Sequence, residues 1–273
     1  MTAPAIGSRE AIRAAAERLA DAARTGVPCA PVRDLVGSTD IDAAYAVQKV
    51  LRDEAVASGR RIVGRKIGLT AEVVQRQLGV DRPDFGVLYE DMAYTSGQTI
   101  PSGRLLQPKV EAEVALELGI DLDGPTDPDG VRAAVRRVLP ALEIVDSRIA
   151  GWDITFGDTV ADNASSGLYV LGENSVATHD LGALDLPGIT MTLTKDGEPA
   201  SSGTGEACLG DPVSALFWLA LEAHRLGDPL RAGQIVLSGA LGPMVPVEPG
   251  ATVSADLHGL GSVSCTFSSG EDT

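Results

Sequence analysis

The sequence predicts a mixed α/β or α+β fold with a helical N-terminal portion. Three observations support this prediction. An alanine-rich amphipathic run occupies residues 8–25, and short strand-like stretches dominate from residue 61 onward. Helices and strands do not alternate regularly, which argues against a Rossmann fold or an eight-stranded α/β barrel.

The first sixty residues are predicted to be mostly helical. In the first run, Ile12 and Leu19 recur among charged residues at the spacing of one helix face. Glycine and proline at 26 and 28 then end the helix. A second helix is predicted to follow Thr39 and to end before Gly59.

Strand patterns follow, interrupted by two helices. Residues 60–69 are rich in β-branched side chains between glycines, and residues 108–118 alternate between apolar and polar. Valine and leucine recur at helical spacing over 128–139, which predicts one helix. The other begins at Pro212, after the N-cap residue Asp211. Further strands are predicted at 141–149, 189–200, 234–241, 251–258 and 261–268.

Composition excludes several classes of protein. The 22 Lys and Arg against 38 Asp and Glu give a net charge of −16, which disfavours nucleic acid and anionic membranes as partners. The 3 cysteines form no CxxC pair, so a reduced cytoplasmic location is expected. No apolar run suggests secretion or membrane spanning. We expect one catalytic domain over 1–273, with a helical segment at 1–60 and a mixed-sheet core at 61–273.

Common catalytic motifs are missing from the sequence. The three histidines, His179, His224 and His258, form no HExxH motif, which argues against a histidine-based zinc hydrolase. No GxxxxGK, GxSxG or strand-associated GxGxxG motif occurs. Candidate chemistry therefore depends on carboxylates and lysines.

The stretch 108–118 places Glu111 and Glu113 on one face of a strand. Two adjacent acids repel each other, and a hard divalent cation such as Mg²⁺ would relieve that repulsion. A solvated glutamate face is the alternative interpretation.

Glu143 interrupts an apolar strand, where a buried carboxylate needs a partner. That partner is either the same cation or an arginine such as Arg148.

Lys66 lies among glycines on its strand, so its ammonium is open to an anion, although a solvated surface lysine is the alternative. Two further segments have the short polar side chains typical of loops and of active-site loops. One is the PDFGVL segment, with Asp84. The other is the segment 158–167, with Asp158, Asp162, Ser165 and Ser166.

Several motifs together resemble the 2-keto-4-pentenoate hydratases of the fumarylacetoacetate hydrolase superfamily. These motifs are GRKIGLT, LGVDRPDFGVLYEDM, PKVEAEVALELG, LEIVDSRIAGW, DTVADNASSGLYVLG and LRAGQIVLSGALGPMVPVEPG. They occur in the family's order from about residue 61 to residue 267. The resemblance implies a mixed β-roll core with an N-terminal helical portion and homo-oligomeric assembly, with association with a neighbouring pathway enzyme also open.

The resemblance also implies roles for individual residues. It implies that Glu111, Glu113 and Glu143 bind a divalent metal, Mg²⁺ or Mn²⁺, and that Lys66 and Asp84 are catalytic. The substrate-binding residues that it implies are Asp162, Ser165, Ser166, Ser238 and Gly239. The expected reaction is metal-dependent hydration of 2-hydroxypenta-2,4-dienoate to 4-hydroxy-2-oxopentanoate, in the breakdown of aromatic or steroid rings.

Three alternatives differ in chemistry. A 2-oxo-3-hexenedioate (4-oxalocrotonate) decarboxylase resembles the hydratases, but its dicarboxylate substrate calls for a second cationic contact that the sequence does not identify. A non-catalytic partner that stabilises such an enzyme is the second, and the intact glutamates argue against it. Hydrolysis of a C–C bond is the third, and it needs a base for water that the histidines do not supply.

Overall fold

The computed structural model describes residues 4–71, 75, 80–124, 126–177 and 184–270. His179 lies outside these residues. The helices are α1 (Arg9–Thr25), α2 (Arg33–Val36), α3 (Ile41–Ala57), α4 (Pro128–Ala134), α5 (Phe156–Ala161) and α6 (Pro212–Arg225). The strands are β1 (Ile62–Gly68), β2 (Asp84–Tyr89), β3 (Ala93–Thr95), β4 (Thr99–Ile100), β5 (Pro108–Leu118), β6 (Val135–Asp146), β7 (Ser166–Leu171), β8 (Val176–Ala177), β9 (Thr190–Lys195), β10 (Glu198–Thr204), β11 (Ile235–Ala240), β12 (Val245–Pro246), β13 (Thr252–Leu257) and β14 (Gly261–Phe267).

The predicted mixed α/β class with a helical N-terminal portion is confirmed. The larger sheet has the order β2-β1-β11-β5-β6-β7-β3, with β1 parallel to β11 and β5 antiparallel to β6. A second sheet has the order β10-β9-β13-β14-β4. The two sheets meet across a core to which β6, β13 and β14 contribute.

The larger sheet curls so that β2 approaches β7. The side chain of Asn163, just before β7, accepts a hydrogen bond from Val87 N at 2.7 Å and donates one to Val87 O at 3.0 Å. An amide side chain therefore replaces the strand ladder at this seam. The curl encloses one face of the sheet, which carries the candidate site.

The N-terminal helices form a second apolar cluster with α5. α1 begins after Ser8, whose side chain accepts a hydrogen bond from Ala11 N, and ends at Gly26 in the left-handed conformation. α3 begins after Asp40, whose side chain caps Ala43 N. Gln48 of α3 donates to Phe85 O and Val160 O, both at 3.0 Å. The helical segment is thereby attached to β2 and α5.

One predicted helix is shorter than expected. The helical pattern over 128–139 ends at Ala134, and the chain continues as β6. Val135 pairs with Leu118, and Arg137 of β6 bonds Glu117 Oε2 at 2.6 Å. The pairing with β5 satisfies a whole ladder of backbone groups, which outweighs the local helical spacing.

The expectation that no segment spans a membrane can be compared with the helices of the structure. In the part of the chain that the structure describes, no helix combines the length and the apolar character needed to cross a bilayer.

Candidate metal centre

Three glutamates meet on the enclosed face of the larger sheet. Glu111 of β5 stands directly opposite Glu143 of β6 in the antiparallel register, and Glu113 follows two residues later on the same face. One carboxylate oxygen of each lies within 4.8 Å of the others. Glu113 and Glu143 are buried, so the interpretation as a solvated glutamate face is wrong.

Burial makes it energetically unfavourable for all three carboxyl groups of this cluster to be ionised together. It raises the pKa of Glu111 to about 7, with the charge of Glu143 adding to the rise. The pKa of Glu113 is raised well above its ordinary value by burial and by both neighbouring carboxylates. No described residue donates a hydrogen bond to Glu113 Oε1 or Glu143 Oε2. Oxygen ligands that are anionic, buried and free to point inward fit a hard divalent cation.

Lys66 is the cation built into this cluster. Its side chain is 4% exposed, and Nζ lies 3.2 Å from Glu143 Oε1. Burial lowers the pKa of the ammonium, but the charges of Glu143 and Asp84 outweigh burial and raise it. Lys66 is therefore charged, and the alternative of a solvated surface lysine is wrong. Lys66 also replaces Arg148 as the partner of Glu143.

A left-handed turn provides a second contact for Lys66. Asn163, Ala164 and Ser165 all have φ between 51° and 53°. Ala164 O accepts a hydrogen bond from Lys66 Nζ at 3.0 Å. For residues other than glycine this conformation costs about 1–2 kcal/mol each, and such strain is frequent at functional sites. Alanine and serine carry no local signal for it, so the sequence did not indicate this contact.

Asp84 lies beside Lys66 on the neighbouring strand. It is 2% exposed, and no described group donates a hydrogen bond to its Oδ1. Burial raises the pKa of its carboxyl, while Lys66 lowers it. Gly68 makes the room, because a Cβ there would lie 2.2 Å from Asp84 Oδ1. This buried acid next to a cation has the environment of a proton-transfer group.

Ser166 closes the site at the seam between β2 and β7. Its Oγ is buried and has no hydrogen-bond partner among the residues described. A Cβ on Gly86, which pairs with Lys66, would approach this oxygen to 2.7 Å. Ser166 thus offers a free hydroxyl near Lys66. Ser165 points elsewhere, with its Oγ 3.3 Å from Thr159 Oγ1.

The two loop aspartates make structural contacts. Asp162 accepts hydrogen bonds from Arg148 Nε at 2.5 Å and Arg148 N at 2.9 Å. Asp158 accepts Val32 N and Arg33 N, both at 2.8 Å. Asp158 therefore joins α2 to α5. Asp162 fixes the loop before β7.

Ser238 and Gly239 lie behind Glu113. They occupy an irregularity between Leu237 and Ala240, where β11 shifts register against β5. Gly239 N donates to Glu113 Oε2 at 2.8 Å. A glycine within a strand pattern can signal such a bulge. The sequence nevertheless gave no indication that its N–H would face Glu113.

The remaining histidines lie apart from this cluster. His224 and His258 are both exposed, on α6 and after β13. The described site thus consists of carboxylates, one ammonium, hydroxyls and main-chain groups.

Comparison with known proteins gives the chain's family. The family model described as "Fumarylacetoacetate (FAA) hydrolase C-terminal" matches residues 61–268. A 2-keto-4-pentenoate hydratase from Paraburkholderia xenovorans (strain LB400) is 52% identical over 259 residues, covering 94% of this chain and 95% of the relative. A 2-hydroxyhexa-2,4-dienoate hydratase from Comamonas testosteroni is 38% identical, covering 96% and 99%.

A solved structure agrees with this relationship. The 4-oxalocrotonate decarboxylase from Pseudomonas putida G7, complexed with magnesium and adipate, superposes with a TM-score of 0.90 at 32% identity. The match covers 95% of this chain and 98% of the decarboxylase. The β-roll fold that the sequence resemblance implied is confirmed. The chain belongs to the fumarylacetoacetate hydrolase family.

Proposed function

We propose that this chain is a hydro-lyase that adds water to 2-hydroxypenta-2,4-dienoate and forms 4-hydroxy-2-oxopentanoate. One observation carries the proposal: three glutamates, with Glu113 and Glu143 buried and Glu111 half-buried, lie beside a buried lysine. One carboxylate oxygen of each glutamate is within 4.8 Å of the others. The hydratases at 52% and 38% identity support this choice of reaction.

Glu111, Glu113 and Glu143 hold a divalent cation. When bound, the cation polarises the C2 oxygen of the substrate and neutralises charge on the substrate carboxylate. Carboxylate ligands favour Mg²⁺ or Mn²⁺ over zinc. The magnesium complex of the decarboxylase with 32% identity supports the same choice.

Lys66 binds the substrate's negative charge. Its ammonium is held by Glu143 Oε1 at 3.2 Å and by Ala164 O at 3.0 Å. These contacts fix its direction, while the third N–H remains to meet the substrate carboxylate or the enolate oxygen. A charged, oriented donor of this kind stabilises negative charge without further reorganisation.

Asp84 moves protons. Burial raises the pKa of its carboxyl, and a buried carboxyl beside a charged lysine is a typical environment for a proton-transfer group. Its Oδ1 is available to orient water. The unpartnered hydroxyl of Ser166, next to Gly86 of the same strand as Asp84, orients the substrate.

The reaction balances in two steps. The C2 hydroxyl loses its proton and C5 gains one, which gives the 2-oxo-3-enoate. Water then adds its oxygen to C4 while C3 is protonated. The product differs from the substrate by one water, and no oxidant or reductant is required.

The other predicted substrate-binding residues differ in their proposed roles. Asp162 supports Arg148 and the loop that carries Ser166. Ser165, Ser238 and Gly239 remain predictions as substrate contacts. The whole chain works as one catalytic domain, since Arg33–Asp158 and Gln48 bind the helical segment to the core. Assembly with further copies, or with a neighbouring pathway enzyme, remains a prediction.

Turnover of freshly generated 2-hydroxypenta-2,4-dienoate tests the proposal. Purified protein with Mg²⁺ or Mn²⁺ should remove the dienoate's ultraviolet absorbance and yield a product heavier by one water, and a chelator should stop the reaction. The similarity to 4-oxalocrotonate decarboxylase makes decarboxylation the second candidate. A parallel sample with 2-oxo-3-hexenedioate tests it: release of carbon dioxide without hydration of the dienoate would replace the hydratase proposal.

A further inference from the structure

The peptide at Gly239 controls where Glu113 points. Gly239 N donates to Glu113 Oε2 at 2.8 Å, and no described donor reaches Oε1 of the same carboxylate. One oxygen of Glu113 is therefore tied to the backbone, while the other is buried without a hydrogen-bond donor among the described residues. A shift of this peptide would turn the carboxylate.

Two side chains hold that peptide in place. The Cys208 thiol is wholly buried and donates to Gly239 O at 3.0 Å, and its sulfur lies 3.7 Å from Ser238 Oγ. Thr70 also packs against Gly239, because a Cβ on Gly239 would lie 2.4 Å from Thr70 Oγ1. Gly239 itself has φ +106°, a conformation that other residues rarely adopt.

We infer that Cys208 is a positioning residue for metal binding, which acts on Glu113 through the Gly239 peptide. The inference rests on the proposed role of Glu113 as a metal ligand. Cys208 S–H fixes the carbonyl of residue 239, and the N–H of the same residue fixes Glu113. Groups that orient metal ligands typically contribute 10- to 100-fold to metal affinity.

A neutral thiol suits this position. Burial, aided by the charge of Glu113, raises the pKa of Cys208 to about 12, so the group keeps its proton and donates. A thiolate there would repel Glu113 and could not donate to the carbonyl. A small donor also fits the crowded space between the bulge and Thr70, which lies within hydrogen-bonding reach of the thiol.

Cys265 provides a matched control. It is equally buried, on β14 in the other sheet, and burial likewise raises its pKa to about 12. Cys208→Ala and Cys265→Ala each remove one buried thiol. They should destabilise the fold by comparable mechanisms, but only Cys208 contacts the bulge.

The experiment measures Mn²⁺ affinity by calorimetry and thermal unfolding of the metal-free protein for each variant. Cys208→Ala should bind Mn²⁺ about tenfold more weakly, and Cys208→Ser, which keeps a donor, should recover most of the affinity. Cys265→Ala should lose stability but keep the affinity of the parent. Gly239→Ala should weaken binding by about 10- to 100-fold.

Two outcomes separate the possible failures. Equal Mn²⁺ affinity in Cys208→Ala and Cys265→Ala would overturn the positioning role. Unchanged affinity in Glu113→Gln would instead overturn the ligand assignment, and with it the proposed site. If Cys208→Ala does not fold, Cys208→Val, which fills the space without a donor, replaces it in the same comparison.

Discussion

Lys66 Nζ lies 3.2 Å from Glu143 Oε1, and both side chains are almost wholly buried. Burial of this pair is tolerated because each charge meets the other. The pair accounts for one positive charge against several buried acids, so negative charge remains in excess within the site. That excess makes the stability of the metal-free protein depend on pH.

Stability of the metal-free protein should fall as pH rises from about 5 to 8. The folded-state pKa of Glu111 is raised from 4.5 to about 7. The folded state therefore binds this proton more tightly than the unfolded state, and the resulting gain in unfolding free energy is full below pH 4.5. That gain is lost as pH rises through 7. Added Mg²⁺ should raise the melting temperature more at pH 8 than at pH 6, because the cation competes with protons. Thermal scans with and without Mg²⁺ measure both trends. A metal-induced rise that is larger at pH 6 would contradict the prediction.

Glu111→Gln should separate stability from metal binding. At pH 8 the variant avoids ionising a half-buried carboxylate among other acids, so the metal-free protein should gain on the order of 1–3 kcal/mol in unfolding free energy. It should also lose the stabilisation that Mg²⁺ gives the parent. Denaturant unfolding with and without the cation checks this. If Mg²⁺ stabilises the variant as much as it stabilises the parent, Glu111 is not a metal ligand.

Lys66→Met should reduce kcat by about 10²- to 10⁴-fold, the usual range for a lost proton-transfer or charge-stabilising group. Lys66 lowers the pKa of Glu111, so Mg²⁺ binding in the variant should require a higher pH than in the parent. Steady-state kinetics and calorimetry across pH 6–9 measure the two effects. Parent-like turnover would exclude a catalytic role for Lys66.

Gly68→Ala should impair catalysis without weakening metal binding. The added Cβ would lie 2.2 Å from Asp84 Oδ1 and must displace that carboxylate. We expect at least about a tenfold loss of kcat, because small displacements of reacting groups cost this much or more. Gly103→Ala is the control, since nothing lies within 4 Å of its Cβ position. Equal activity in the two variants would count against Asp84.

Asp158→Asn should lower stability but leave metal affinity unchanged. Asp158 accepts two main-chain N–H groups of residues 32 and 33 and pairs with Arg33 Nε at 2.8 Å. Loss of these contacts should cost about 2–3 kcal/mol in unfolding free energy. Chemical denaturation and calorimetry together test it. Weakened Mg²⁺ binding with intact stability would place Asp158 in the site instead.

The sequence predicted those parts of the site that depend on periodicity. Strand alternation was sufficient to put Glu111 and Glu113 on one face, and the isolated acid at Glu143 indicated a buried partner. Which partner it meets depends on how the strands pair, and the structure supplies Lys66 rather than Arg148. The same pairing converted part of the expected helix over 128–139 into β6.

Contacts made by main-chain atoms could not be predicted. The Ala164 carbonyl that meets Lys66 belongs to a strained left-handed turn, and neither Ala164 nor Ser165 has a sequence preference for that conformation. The Gly239 N–H that meets Glu113 depends on a shift in strand register. Backbone atoms are the same in every residue, so their position at a site follows from the fold alone.

The direct pairing of Glu111 with Glu143 has a consequence for how the sheet forms. Side chains alternate between faces, so a slip of one residue between β5 and β6 would send one of the two carboxylates to the opposite face. A cation that needs both would bind the correctly paired strands and reject the slipped ones. By mass action the cation would increase the population of correctly paired strands. Metal binding would thus select the strand register that forms its own binding site.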